Sequence, residues 1–217
     1  ISISTYTGTG SAATVGHGLG VTPTTVWVFP RSTGSNHLAS NWETGISVYS
    51  EKLKLSDAAS PESSANHVTG ASSTTFTLGT DANVNGSTST YIAYSFVEVV
   101  GFSKFGTYTG HGETDGTYAF CGFTPEMIMI KSHSEDEPWT IFDRARDTYN
   151  PAGKFLIGND NNIEQTVSTV AVDFLSNGFK LRGTDNRINA DDIIYIFAAF
   201  AKHPFGGSGV AVAPAVL

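Results

Sequence analysis

The sequence predicts an all-β protein, made of two tandem duplicated antiparallel β-sandwich or barrel units packed against each other. Three observations predict it. The composition favours strands and turns: of 217 residues only 15% are charged, while 40% are hydrophobic, 12% are aromatic, 23 are Gly, and Ser with Thr exceed a fifth. Short β-branched and aromatic runs alternate with turn residues along the chain. The chain also repeats itself, and this observation constrains the architecture most.

Tyr6-Thr7-Gly8-Thr9-Gly10 recurs as Tyr108-Thr109-Gly110-His111-Gly112, an offset of 108 − 6 = 102. The same offset carries Gly20, Thr22 and Pro23 onto Gly122, Thr124 and Pro125, and Lys52-Leu53-Lys54-Leu55 onto Lys154-Phe155-Leu156-Ile157. Phe76-Thr77-Leu78 meets Phe179-Lys180-Leu181 at 103, and Tyr91–Glu98 meets Tyr195–Lys202 at 104. A drift of two residues fits small surface-loop insertions. The expected domains are therefore residues 1–100 and 101–205, followed by an extended tail over 206–217. The joint Gly101-Phe102-Ser103-Lys104-Phe105-Gly106 is too short and apolar for a flexible linker.

In chain order, Thr24–Phe29 reads as a strand apolar on both faces, limited by Pro30. Ser73–Gly79 is a short strand and Tyr91–Val100 a long one. Val170–Leu175 and Gly178–Arg182 are short strands of the second copy, and Ile193–Lys202 is the counterpart of Tyr91–Val100. Ala198-Ala199-Phe200-Ala201 has helical propensity, but its counterpart Tyr94-Ser95-Phe96-Val97 decides for strand. Asn85-Gly86 and Ser176-Asn177-Gly178 carry the Asn-Gly signature of tight hairpins with positive φ. One helical turn is expected at Asp143–Asp147, ended before Pro151. Phe76, Phe96, Phe179 and Phe200 are expected in the core, with Pro23 and Pro125 at equivalent strand starts.

The formal charge of −8 argues against nucleic-acid or anionic-membrane partners, which need Lys and Arg to neutralise phosphate. No apolar run approaches the roughly 20 residues of a membrane helix. A lone cysteine, Cys121, excludes an intrachain disulfide framework and a Cys-based zinc site. The chain starts at Ile1 with no Met, charged n-region or cleavage site, and is expected to be a fragment or a processed product.

Gly16-His17-Gly18-Leu19-Gly20 has the glycines of a phosphate loop but is followed by a strand, so a turn is expected. The six histidines show no ligand spacing and read as surface residues. Asn159-Asp160-Asn161-Asn162 lacks the later Glu of a calcium loop, and Glu135-Asp136-Glu137 and Asp191-Asp192 read as loop charge. The 102 offset puts Ala119 against His17 and Cys121 against Leu19, an apolar position, so a buried Cys is expected. Arg144, Arg146 and Asp147 are expected to hold their own loop. No cofactor, metal or catalytic residue is expected, and the reading is of a non-enzyme. The candidate ligand-binding residues are Trp42, Trp139 and Tyr149, whose flat faces suit sugar rings; core packing is the competing reading, above all for Trp139.

Trp139–Asp147, Val172–Arg182 and Tyr195–Ala201 resemble segments that recur in tail-fibre and other virion structural proteins of marine bacteriophages. Such modules often close longer chains, sometimes after laminin-G-like lectin domains, and the run Pro204–Val210 is similar to theirs. The resemblance covers most of copy two; copy one lacks the Trp-to-Asp segment, Trp42 being displaced from Trp139 by 97 rather than 102. It implies a virion structural or adhesion module, a fibre, tail or capsid-surface component at the particle surface. Its partners would be other virion proteins, itself as a homo-oligomer (a trimer by analogy with phage fibres), and a host-surface glycan. A polysaccharide depolymerase and a non-viral extracellular adhesin or fibre subunit are the alternatives.

Overall fold

The computed structural model describes residues 1–32, 38–40, 51–201 and 203. The chain forms two compact units. Unit 1 is Ile1–Glu98 with His133–Trp139 and Gly158–Asp160; unit 2 is Val99–Ser132, Thr140–Ile157 and the chain from Asn161 onward. The first boundary falls near the expected residue 100, but two segments from the second repeat belong to unit 1. Their contacts there are specific. Trp139 Nε1 donates to the Lys54 carbonyl at 2.8 Å, Ser60 N to Asp136 Oδ1 at 2.8 Å, and His133 Nε2 lies 3.1 Å from Glu51 Oε2. The expected tail over 206–217 lies outside the described residues.

Unit 1 contains β1 (Ser2–Thr7), β2 (Ala13–Gly16), β3 (Thr25–Pro30), β4 (Leu38–Ser40), β5 (Glu51–Lys54), β6 (Glu62–Ser63), β7 (Val68–Ala71), β8 (Thr75–Leu78), the short helix α1 (Ala82–Asn85) and β9 (Thr90–Phe96). They make a six-stranded antiparallel sheet ordered β1-β9-β3-β4-β5-β6 and a three-stranded sheet ordered β2-β8-β7. Unit 2 contains β10 (Ser103–Thr109), β11 (Tyr118–Phe120), β12 (Pro125–Ser132), β13 (Thr140–Asp143), β14 (Lys154–Ile157), β15 (Gln165–Thr166), β16 (Val172–Leu175), β17 (Gly178–Leu181) and β18 (Ile194–Ala201). Its sheets run β10-β18-β12-β13-β14-β15 and β11-β17-β16. Position for position, the two strand orders are the same. The fold is all-β and sandwich-like in each unit, as the sequence predicts, and no barrel closes among the described residues.

Strand alternation sets each core. In unit 1, Val26, Val28, Val68, Phe76, Leu78, Val84, Tyr91 and Ala93 form one apolar cluster. In unit 2 the corresponding cluster centres on Tyr108, Ile128, Ile130, Phe142, Phe155, Phe179 and Tyr195. Full burial of such side chains contributes roughly 1.5–3 kcal/mol each.

The register corrects several expectations. Phe76 and Phe179 are fully buried, but Phe96 and Phe200 are only half-buried. In β9 the inward residues are Tyr91, Ala93 and Ser95, and a period of two turns Phe96 to the opposite face. Likewise β3 buries Val26 and Val28 completely, while Trp27 and Phe29 on its opposite face are half-buried. Pro23 and Pro125 are both buried at matching places: Thr25 pairs with Phe96 and Met127 with Phe200, each two residues after its proline.

The expected turn forms, and a short helix the sequence did not announce lies elsewhere. Asp143–Asp147 forms a hydrogen-bonded turn, with Arg146 N and Asp147 N on the Asp143 carbonyl, while the helix is α1. The Asp81 side chain caps α1 by accepting from Asn83 N at 2.9 Å. Asn85-Gly86 is therefore a helix end, with Gly86 at φ −59°, and not a hairpin. Ser176-Asn177 does close a two-residue hairpin, between Leu175 and Gly178, although the non-glycine positive φ values among the described residues are at Thr88 and Asp192.

Candidate functional site

Of the three sequence candidates, Trp42 lies outside the described residues. Trp139 is 1% exposed, and its indole N–H is spent on the Lys54 carbonyl, so packing consumes the ring and leaves no face for a sugar. Tyr149 is 82% exposed in unit 2, on a loop fixed from both sides. Asp147 Oδ2 accepts from Gly153 N and Lys154 N, and the Asn150 amide exchanges two hydrogen bonds with the Phe174 backbone. Asp147 thus holds its own loop as expected, whereas Arg146 reaches Glu164 at 2.8 Å and Arg144 stands over the Phe174 ring. Trp139 and Tyr149 fall in different units.

Not every histidine is on the surface. His17 is 2% exposed; its Nε2 is 3.0 Å from the Ser72 carbonyl and its Nδ1 accepts from Leu19 N. It locks a turn in which Gly18 and Gly20 take positive φ, and no helix follows to present a phosphate-binding end. His67 is fully buried against Lys52 and Asp81, and neither ring nitrogen makes a hydrogen bond of normal geometry. Burial is the main cause that pulls its pKa down, and Lys52 adds to it. Cys121 is buried, as expected. Its structural counterpart, however, is His17: Cys121 N donates to Asn177 O where His17 N donates to Thr74 O. No group of three or more His, Cys, Asp or Glu among the described residues is arranged to hold a metal ion.

Most buried polar side chains serve the scaffold, and do so twice. Tyr91 Oη donates to the Ala82 carbonyl and accepts from Gly86 N; Tyr195 Oη does the same with Asn186 and Ala190. Tyr6 and Tyr108 stack on them at 5.1 Å and donate to Val84 and Ile188 carbonyls. Burial pushes the phenols of both Tyr6 and Tyr108 well up. The four hydroxyls are satisfied within the scaffold.

Two further surfaces carry apolar side chains on an outward sheet face. The first is in unit 1, on the outward face of β1, β3 and β9. Ile1, Trp27, Phe29, Ile92, Tyr94 and Phe96 line a groove of about 460 Å³. Trp27 and Phe96 meet at 4.7 Å between centroids and Phe29 and Tyr94 at 5.5 Å. Beside it Ile3 is 60% exposed.

The second is the outward face of the three-stranded sheet in unit 2. Tyr118 and Phe120 alternate with buried Ala119, so both point outward, 41% and 61% exposed. Tyr118 Oη donates to Asn177 Oδ1 at 2.7 Å, which fixes the ring beside Gly178. Across the sheet Tyr118 pairs with Lys180 and Lys180 with Asp173, and paired residues share a face. Lys180 Nζ is 2.7 Å from Asp115, Arg182 also grips Asp115, and Arg182 Nε donates to Asp173 at 2.6 Å. Lys180 beside Asp115 holds that carboxyl below the usual range. Sequence reasoning missed this face because the 102 offset paired Tyr118 with Gly16. The register pairs Tyr118 with Thr14 and Phe120 with Gly16, an offset of 104, since Thr14 faces Thr77 as Tyr118 faces Lys180. The signal was present in the alternating Tyr118-Ala119-Phe120.

No curated protein and no solved structure matches the chain. A family profile described as a domain of unknown function (DUF7483) matches residues 1–204, across both repeats. The chain belongs to the DUF7483 family.

Proposed function

We propose that the protein is a non-enzymatic structural or adhesion module of a virus particle, a fibre, tail or capsid-surface component that docks on other proteins of the particle. The groove of unit 1 carries this reading. Its lining is aromatic and aliphatic, with no charged residue among the six. A surface of that kind is suited to a protein neighbour with an apolar face. The low charge of the chain, 15% of residues, agrees with lasting contacts in which electrostatic steering matters little. The resemblance of Trp139–Asp147 and Val172–Arg182 to phage virion proteins supports the particle as the setting.

The contact should bury more than about 1,000 Å² in total, the usual threshold of a specific interface. Self-association into a homo-oligomer, a trimer in the first instance, is the form to test. Sedimentation at micromolar concentration in low and high salt should give an oligomer insensitive to salt, and Ile92→Glu in the groove should dissociate it. A strict monomer in both salts, together with absence from purified particles, would contradict the reading. Release of reducing ends from polysaccharide, abolished by a single carboxylate substitution, would favour the depolymerase alternative.

A further inference from the structure

We propose that the outward face of the three-stranded sheet in unit 2 binds a neutral saccharide, with Tyr118 and Phe120 as the stacking platform and Asp115, Lys180, Arg182 and Asp173 as the hydrogen-bonding rim. The inference deepens the adhesion reading above, and rests on it in taking this face to be a binding surface.

The duplicated scaffold supplies an internal control. In unit 1 the equivalent positions are Thr14 and Gly16 on β2, Thr77 on β8 and Gly70 on β7. That sheet has the same strand order, with no aromatic and no ion pair on this face among the described residues. The fold therefore does not require the cluster, and exposed aromatics in water oppose solubility unless something uses them. Residues two apart on a strand stand about 7 Å apart on one side, which makes Tyr118 and Phe120 a continuous apolar strip. The hydrogen bond from Tyr118 to Asn177 fixes one ring in advance, so less freedom is lost on binding.

The rim selects the ligand chemistry. Two carboxylates face two cations, so the local charge sums to zero and neither an anionic nor a cationic ligand is favoured. Sugar hydroxyls both donate and accept, and the rim offers both kinds of partner. Arg182 spends Nε and Nη1 on the two carboxylates, from a fork of five N–H groups. A pyranose ring brings an apolar C–H face to an aromatic ring with hydroxyls around its edge, which matches a strip bordered by polar groups. An apolar protein surface would instead desolvate the ion pairs without replacing their water.

The full chain is titrated with neutral oligosaccharides of glucose, galactose, mannose and N-acetylglucosamine, with sialyllactose and a heparin fragment as charged comparators. Calorimetry and amide chemical shifts are the readouts. At least one neutral oligosaccharide should bind with a dissociation constant of about 1 mM or tighter and shift amides of β11, β16 and β17. Phe120→Ala and Tyr118→Ala should each weaken binding about tenfold or more, while Ile163→Ala, at another exposed apolar side chain, should not. Phe120 is 61% exposed, so Phe120→Ala should melt with the parent, and it decides the matter if Tyr118→Ala fails to fold. The inference is overturned if no neutral sugar moves these amides, if only the charged comparators bind, or if binding survives both substitutions. Self-association reversed by Phe120→Ala, without sugar binding, would assign the face to a second copy and overturn it too. Particle location is read separately by microscopy. A sugar-blind face on a particle-bound protein sinks this inference alone, and sugar binding by a protein found on no particle sinks the particle reading alone.

Discussion

Asn85 and Asn189 are fully buried and make the same hydrogen bonds in their respective units. Each Oδ1 accepts a backbone N–H from the end of the first strand, Thr9 at 2.8 Å and His111 at 2.9 Å. Each Nδ2 donates to two carbonyls, those of Gly79 and Ser11 in one copy and Gly183 and Glu113 in the other. Each backbone carbonyl accepts from a glycine at positive φ, Gly10 or Gly112, at 2.9 Å. One side chain thus joins three loops by satisfying groups that no strand partner reaches.

Asn85→Ala and Asn189→Ala should each cost on the order of 2–4 kcal/mol, because each orphans a part-buried donor and two acceptors, of which the Gly79 or Gly183 carbonyl is buried. Hydrogen exchange should report the loss locally, around Thr9 and Gly79 for the first and around His111 and Gly183 for the second. Equal protection of those amides in parent and variant would show that the bonds are not structural.

Truncation of phenylalanines should follow burial and not repeat position. Phe76→Ala and Phe179→Ala should cost about 3–5 kcal/mol, as fully buried rings do. Phe96→Ala and Phe200→Ala remove half-buried rings and should cost clearly less. Denaturant midpoints of the four variants provide the check, and four equal losses would contradict the register.

His67 should make unit 1 acid-sensitive. In the unfolded chain the ring titrates near 6.5, and in the fold its pKa is lower, mainly through burial. Above about pH 6.5 both states are neutral and stability is complete. Below it the unfolded ring takes a proton that the folded ring refuses, so stability falls until the folded pKa is passed. The Asp81 carboxylate and the carbonyls of Glu51 and Ser64 favour the charged ring but are outweighed. The structural counterpart of His67 is Val170, fully buried in unit 2. His67→Val should therefore flatten the dependence between about pH 5 and 7, and an unchanged slope would place the titration elsewhere.

The repeat was legible because its spacing is carried by residues with fixed tasks: the Tyr6 and Tyr108 pair, the Gly10 and Gly112 turns, and the proline before each long strand. It predicted two like all-β units and six of their strands, but no strand order. It did not predict α1, because Asn85-Gly86 has the residues of a hairpin and only tertiary contacts make them a helix end. The recurring Asp81-Ala82-Asn83-Val84-Asn85 and Asp185-Asn186-Arg187-Ile188-Asn189 carried that information, as cap and buried amide. Of the candidate site, Tyr149 was legible as an exposed aromatic. Trp139 was ambiguous because a tryptophan has the same residue type in a core as on a surface. Tyr118 and Phe120 were hidden by a compensating shift in register, two residues gained before β11 and two lost after it, which a constant offset cannot register.

The central claim, a component of a virus particle, is tested most directly by electron microscopy of particles purified from the source of this sequence, with antibody raised against the full chain. The account predicts label at one repeated location on intact particles, and density there that accommodates the two units. Particles that carry no label, alongside soluble protein in the same preparation, would contradict it.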